Sequence, residues 1–284
     1  MKVQIMALYA WIGVRLRDHS INTLGLMLGL FHRELRVTAL RLGLDQDTLM
    51  LASAVAALLH DAGKAAERYQ ETVARCYPRF TCHELAGSWV AMETLDVILQ
   101  LVEPSRSKVE LLSAVAAAAV LRHHHGMRSL AACRAAAKQG KIDGLDGSSL
   151  KALAEELDSA GSLAATVAAT LRELADTAPP PNPLEAEARV RRRLTFLEKK
   201  QPALSAATSI LTGLLAAADY LAAAILDGRG SCNTRDDNVA TIYPRGYAKH
   251  VLRELGIYNP VLLKEAREKG YRQAENLARM LKIS

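Results

Sequence analysis

Residues 45–64, DQDTLMLASAVAALLHDAGK, decide how this chain folds. Asp45 is of a residue type that caps helix N-termini, and the run that follows it is apolar on nearly every side of a helix. Because a helix that is hydrophobic all round must be buried, we predict that this one lies in the core. It ends in HDAGK at 60–64, where the charged Asp61 is costly unless a metal ion or another charge compensates it.

The rest of the chain extends this helical prediction. Ala and Leu, both strong helix formers, abound in the 284 residues, and no alternating Val/Ile/Thr runs indicate a sheet. The segment APPPNP at 178–183 cannot continue a helix, and we interpret it as a turn within one domain. We therefore predict one all-α domain over residues 1–284, with a core at about 15–226, an irregular stretch at 227–247 and a C-terminal helical extension at about 248–284.

Charge, cysteines and hydropathy restrict the cellular setting. The formal charge is +6 with a pI near 9.2, which suits a polyanionic partner such as nucleic acid and equally a solvated, arginine-rich surface. The four cysteines include no CxxC pair, so we expect buried free thiols, with a Cys76–Cys82 bridge as the alternative. We find no secretory signal and no run of about 18 uncharged apolar residues, and we expect a cytoplasmic protein without a membrane span.

Further residues of metal-ligand type stand at predicted helix ends or inside apolar helices. His83 belongs to a capping box, Thr81-Cys-His-Glu84, which predicts that it lies in the first turn of a helix. Three histidines at 123–125 end another apolar helix. Asp219 lies within a third, where a carboxylate needs either a metal ion or a basic side chain as partner.

Position in the sequence distinguishes one further candidate ligand, His19, from two other histidines. His19 opens the series on the first predicted helix, with an exposed surface histidine as the alternative interpretation. His32 follows 13 positions later and should point about 220° away around that helix. His250 has no acidic or histidine neighbours. We interpret His32 and His250 as structural or exposed residues.

The order of these residues resembles that of the HD phosphohydrolase superfamily, whose fold is a helical bundle. The additional histidines make the chain similar to the HD nuclease of CRISPR type I systems. In that family the nuclease is fused to a superfamily 2 helicase or is a separate protein. This chain has no GxxxxGK[ST] phosphate loop, so it resembles the separate form. The residues that carry the resemblance are His19, His60-Asp61-x-Gly63-Lys64, His83, a histidine pair within 123–125, and Asp219.

The resemblance implies a site for two divalent cations. One ion would be held by His19, His60, Asp61 and Asp219, and the other by Asp61, His83 and two of the clustered histidines. Asp61 would therefore bridge the two ions, and Lys64 would contact the scissile phosphate. The family has two adjacent histidines where this sequence has three, and we favour His123 and His124 over His125. Imidazole and carboxylate ligands suit Mn, Fe, Co, Ni or Zn better than Mg.

By this resemblance the protein is a metal-dependent phosphodiesterase. It would cut single-stranded DNA, as an endonuclease or exonuclease, with a separate helicase and a CRISPR targeting complex in antiviral defence. An HD hydrolase of small nucleotides, either a nucleotidase or a cyclic-nucleotide phosphodiesterase, needs only H…HD…D, so the extra histidines disfavour it. A non-catalytic adaptor with a structural metal is disfavoured by the intact HDAGK. Basic stretches at 189–193 and 199–200 either track a DNA backbone or form a solvated helix face.

Overall fold

The computed structural model describes residues 7–76, 82–124, 129–227, 245–257 and 259–281. Helices dominate these residues, so the prediction of an all-α fold is confirmed. The α-helices are α1 Leu16–Leu42, α2 Gln46–Leu59, α3 Glu67–Ala74, α4 Glu84–Gln100, α5 Arg106–Arg122, α6 Leu130–Lys138, α7 Gly147–Asp158, α8 Ser162–Thr177, α9 Pro183–Lys200, α10 Ala203–Leu221, α11 Arg245–Glu254 and α12 Pro260–Leu281. A 3-10 helix covers Ala62–Ala65, and a π-helical turn, Ala222–Leu226, continues α10.

The predicted central helix, α2, forms as expected. The Asp45 side chain accepts a hydrogen bond from the Thr48 amide at 2.8 Å, which confirms it as the N-cap. Every residue from Thr48 to Leu59 is buried. The helix packs against α1, α4 and α5, so the core surrounds it on several sides. Its C-terminal end therefore delivers the HDAGK segment to the interior.

A small β-hairpin precedes α1. Strand β1, Tyr9–Trp11, pairs antiparallel with β2, Val14–Arg15, around a turn that contains Gly13. The composition indicated no sheet, and so short a hairpin leaves no alternating pattern in the sequence. The Gln70 side chain bonds the Tyr9 backbone, which holds the hairpin against α3 and the 3-10 helix.

The expectation of free thiols is wrong. Cys82 and Cys133 form a disulfide with a Cα–Cα distance of 5.5 Å, and no cysteine among the described residues is free. The two residues are 51 positions apart, a separation that no local spacing rule detects. The bond fastens α6 to the residue immediately before His83.

The C-terminal helix α12 crosses α1 at very short range. A Cβ atom on Gly29 would lie 1.8 Å from the backbone oxygen of Ala266, and one on Gly270 would lie 1.9 Å from that of Gly25. Only glycine permits backbones to approach this closely. Leu263, Ala274 and Leu277 of α12 belong to the same core cluster as α1 and α2. The predicted extension therefore packs directly on the helix that carries His19.

Among the described residues, one helix has the length and hydropathy of a membrane span, and a second candidate arises only if two helices joined at a sharp bend are counted together. One is Ala203–Ala224, of which 56% is buried within the fold. The other is α2 with the 3-10 helix, followed by α3 after a bend of 75°. Both contribute buried residues to the core, so packing within the fold accounts for their hydrophobicity.

Candidate metal centre

The ends of five helices converge on one buried cluster of histidine and aspartate side chains. His19 lies in the first turn of α1, and Asp219 in the last turn of α10. The other members sit at helix boundaries: His60 and Asp61 follow α2, His83 immediately precedes α4, and His123 and His124 follow α5. Each of the seven side chains belongs to a residue that is at most 3% exposed.

Three of these side chains form the first group. The Nε2 atom of His19 lies 3.0 Å from Oδ1 of Asp219 and 3.1 Å from Nε2 of His60. The His60 Nε2 atom lies 3.6 Å from the same Asp219 oxygen. All three potential ligand atoms are within 4.8 Å of one another, so a single cation could contact them together.

Four side chains, Asp61, His83, His123 and His124, form the second group. Oδ1 of Asp61 lies 2.7 Å from Nε2 of His83 and 3.9 Å from Nε2 of His123. The ring centroids of His123 and His124 are 3.9 Å apart, so adjacent positions in the chain both reach the group. His125, the alternative member of the pair, lies outside the described residues.

Asp61 lies between the groups and turns one oxygen towards each. While Oδ1 faces His83, Oδ2 lies 3.4 Å from Nε2 of His19 and 3.6 Å from Nε2 of His60. Two cations, one in each group, could therefore share this carboxylate.

The imidazoles are held with one ring nitrogen towards the centre. Nδ1 of His60 donates to the Ala57 carbonyl at 2.8 Å, and Nδ1 of His123 donates to the Val120 carbonyl at 2.6 Å. Since a carbonyl oxygen can only accept, these bonds use Nδ1 as the donor and turn Nε2 of each ring towards the cluster. Nδ1 of His19 instead meets Oδ2 of Asp227 at 2.7 Å.

The electrostatics of Asp61, His123 and His124 favour cation binding. At His19, burial would lower the pKa, but the carboxylates of Asp227, Asp219 and Asp61 hold it well above its ordinary value, so a cation bound there displaces a proton. Burial alone would raise the pKa of Asp61, but the Lys64 ammonium and the nearby histidines hold that pKa well below its ordinary value. Burial lowers the pKa of His123 to about 3 and that of His124 well below its ordinary value. The carboxylate is therefore charged and these two imidazoles neutral at pH 7, the forms in which both residue types ligate metals.

The unsatisfied polar atoms provide an independent test of whether the residues fit metal ions. Among the described residues, Nε2 of His123, Nδ1 of His124 and Oδ2 of Asp219 are fully buried without a hydrogen-bond partner. Buried polar groups without partners are rare and costly. Two cations would contact such atoms directly, so the residues present fit a two-metal centre.

Lys64 lies at the edge of the cluster. Its ammonium is 2.5 Å from Oδ2 of Asp61 and 5.2 Å from the centroid of the Trp11 ring, and the residue is only 2% exposed. The lysine therefore sits beside the carboxylate expected to bridge the ions.

A close backbone contact explains why residue 63 of HDAGK is a glycine. A Cβ atom at this position would lie 2.0 Å from the backbone oxygen of His83. The absence of a side chain lets the 3-10 helix press against the start of α4, which brings Asp61 and His83 together. His83 is the residue before α4, which begins two residues later than a helix capped by Thr81 would; Thr81 lies outside the described residues.

Several residues singled out from the sequence lie elsewhere. His32 is not part of either group, and His250 is exposed, with Glu254 as its nearest carboxylate at 3.9 Å. Cys82, Glu84 and Cys133 form a third potential ligand cluster, but its two sulfur atoms are bonded to each other. Glu84 is nevertheless close to the centre, because its Oε2 lies 3.8 Å from Nδ1 of His83.

Sequence reasoning missed two residues that contact the site. Trp11 packs edge-on against His19, with ring centroids 4.5 Å apart, and also covers Lys64. Asp227 bonds His19 from a position that the sequence assigned to an irregular stretch. Asn22, which also contacts Asp227, could have been suspected, since it lies three residues after His19 on the same helix.

A comparison with models of protein families matches residues 12–224 to the HD domain of Cas3. The matched range contains all seven clustered side chains and Lys64. No curated protein and no solved structure gives a significant match.

Proposed function

Since the chain belongs to the Cas3 HD-domain family of CRISPR-associated metal-dependent nucleases, we propose that it hydrolyses single-stranded DNA with two transition-metal ions and works beside a separate helicase. The observation that carries the proposal is the placement of Asp61 between two groups of imidazole and carboxylate side chains. An HD hydrolase with one metal would need only the first group and Asp61. The second group, with His83, His123 and His124, supports the two-metal reaction.

The distances between their ligand atoms divide the proposed ligands between two ions. His19, His60 and Asp219 would hold one ion, His83, His123 and His124 the other, and Asp61 both. Two such ions, when bound, supply Lewis acidity to the phosphodiester and to the attacking water. Mn, Fe, Co, Ni and Zn all suit this mixture of imidazole and carboxylate.

The chain's own residues would position the reactants. The Nδ1 bonds of His60 and His123 keep their rings from turning, so the centre requires little reorganisation. Lys64 would pair with a non-bridging phosphate oxygen once cations share the charge of Asp61. Hydrolysis would form a new P–O bond from water as the old one breaks, with the proton of water passing to the departing oxygen, and would give a phosphomonoester end and a hydroxyl end.

The decisive experiment is digestion of circular single-stranded DNA by metal-free protein to which single ions are restored. We expect cleavage with Mn²⁺ or another transition ion, weaker cleavage with Mg²⁺, and none in chelator. Cutting of a circle shows endonuclease action, whereas activity only on linear strands shows exonuclease action. Inertness on every DNA with rapid hydrolysis of mononucleotides would contradict the proposal and favour a small-nucleotide hydrolase.

A further inference from the structure

A hydrogen-bonded series that includes two residues outside the matched family region, Arg267 and Asp227, ends on a proposed metal ligand. Arg267 donates from Nε to Oδ1 of Asn22 at 2.9 Å, and Nδ2 of Asn22 donates to Oδ1 of Asp227 at 2.7 Å. Oδ2 of Asp227 then meets Nδ1 of His19 at 2.7 Å. The side chains of His19 and Asp227 are both 0% exposed, so water does not compete for the last bond.

The contact decides which nitrogen His19 offers to the centre. A carboxylate on Nδ1 keeps a proton there, so the nitrogen that His19 can offer to a cation is Nε2, which faces Asp219, His60 and Asp61. His60 and His123 obtain the same orientation from carbonyls three residues earlier in the chain. His19 depends instead on a residue 208 positions away, so its orientation requires the tertiary fold.

The π-helical turn places Asp227 on the Nδ1 side of the His19 ring. The Asp227 amide bonds to the Ala222 carbonyl, five residues back, at 3.1 Å. A helix closed at five residues rotates less per residue than an α-helix, so the chain after Asp219 turns less than a regular continuation would. Asp219 and Asp227 consequently meet opposite nitrogens of the same imidazole. Single π-helical turns of this kind are frequent at functional sites.

The far end of the series is fixed by the glycine crossing of α1 and α12. A Cβ on Gly25 would lie 2.7 Å from the backbone oxygen of Arg267, so this part of α12 touches α1 directly. Asn22 lies one turn before Gly25, within reach of the arginine side chain. Helix α12, which lies outside the residues matched to the family, therefore helps to orient His19, which lies inside them.

We propose that Asp227 is the positioning residue for His19 and that Asn22 and Arg267 hold it in place. This inference rests on the proposed two-metal function and adds a residue to it. Loss of a residue that orients a metal ligand typically weakens metal binding 10- to 100-fold. We therefore expect Asp227→Asn to weaken the ion of the first group by about that factor and to leave the ion of the second group unchanged.

Calorimetric titration of metal-free protein with Mn²⁺ tests this. His83→Ala removes a second-group ligand and so identifies the binding event that belongs to the first group. Asp227→Asn is then compared with Asp176→Asn, which alters an exposed ion pair with Lys151 and should bind both ions normally. Weakening of only the first-group ion supports the proposal. Weakening of both ions equally would show general loosening and overturn it.

The outcomes separate this inference from the function. A wild-type protein that binds no Mn²⁺ would overturn the two-metal function itself. Two ions bound by wild type, with unchanged affinities in Asp227→Asn, would overturn only the role of Asp227. If circular dichroism shows that Asp227→Asn is unfolded, Arg267→Met decides. A smaller weakening of the same ion then supports the series, and unchanged affinity overturns it.

Discussion

At the scale of single residues, Asp61 is the side chain on which both groups depend. Its two oxygens face different groups, and its pKa is held well below the ordinary range although the residue is buried. The Lys64 ammonium at 2.5 Å supplies much of that effect. Removing the charge therefore affects both proposed ions and the lysine together.

Asp61→Asn is expected to abolish binding of both ions and to lower nuclease activity by at least about 100-fold, the lower end of what loss of one charge-stabilising group costs. The isosteric amide keeps the packing, so helical content should persist. Mass-spectrometric metal content and single-strand digestion provide the measurements. His250→Ala, at an exposed position, is the control and should behave as wild type. Comparable losses in both variants would mean that the site is misassigned.

Gly63→Ala tests the close approach of the 3-10 helix to α4. The added methyl would lie 2.0 Å from the His83 carbonyl, so either His83 or Asp61 must move. We expect loss of the second-group ion, a large fall in activity and a lower melting temperature. Gly140→Ala does not serve as control, because Gly140 has a positive φ; Gly213→Ala does, since nothing lies within 4 Å of its Cβ position. Normal metal binding by Gly63→Ala would contradict this account.

The histidine register is a separate residue-scale prediction. His123 and His124 both reach the second group, and their low pKa values keep them neutral. Replacing either with Ala should reduce Mn²⁺ binding and activity far more than His125→Ala does. A larger loss at His125 than at His124 would shift the pair by one position and leave the proposed function intact.

At the scale of elements, the sequence predicts helices better than it predicts what holds their ends together. The α2 cap, its burial and the metal-ligand types at 60–61 follow from local chemistry, because capping and amphipathicity are properties of neighbouring residues. Asp227 and the Cys82–Cys133 bond depend on contacts between distant segments. No spacing rule detects such pairs, so these parts of the site required the structure.

The disulfide joins two elements beside the centre and gives an element-scale prediction. Cys133→Ser releases α6 from Cys82 and opens a loop of 51 residues, for which chain entropy predicts a loss of about 4 kcal/mol. We expect a lower melting temperature than that of the oxidised wild type. Ser129→Ala alters the N-cap of the same helix and is a milder control, expected to cost about 1 kcal/mol. Equal stability of Cys133→Ser and oxidised wild type would contradict a stabilising bond.

At the scale of the whole molecule, less of the positive charge is free to contact a nucleic-acid backbone than the composition indicates. On α9, Arg189, Arg191 and Arg193 pair with Glu185, Glu187 and Asp96 respectively. Arg192 on the same helix is exposed and has no such partner among the described residues. The basic stretch at 189–193 is therefore largely neutralised within the fold, which favours the interpretation as a solvated face.

The proposed division of labour with a helicase is a whole-molecule prediction. A flexible single strand can bend towards a recessed centre more readily than a duplex, so the protein alone should degrade single strands and leave blunt duplex largely intact. Binding to single strands should weaken with salt, because backbone phosphates dominate the contacts. Adding the helicase, ATP and a targeting complex should make duplex a substrate. Efficient cutting of blunt duplex by the protein alone would refute this arrangement.

The burial of the centre also has a consequence for the rate at which bound metal ions exchange. All seven proposed ligands are at most 3% exposed, and their helix ends are packed within one core. We expect an ion held there to exchange more slowly than one at a surface site, because local opening is infrequent in well-packed regions. Exchange should then be slow even where affinities for two metals are similar. The ion present when the chain folds would be kept, so the metal found in purified protein should report the supply during synthesis.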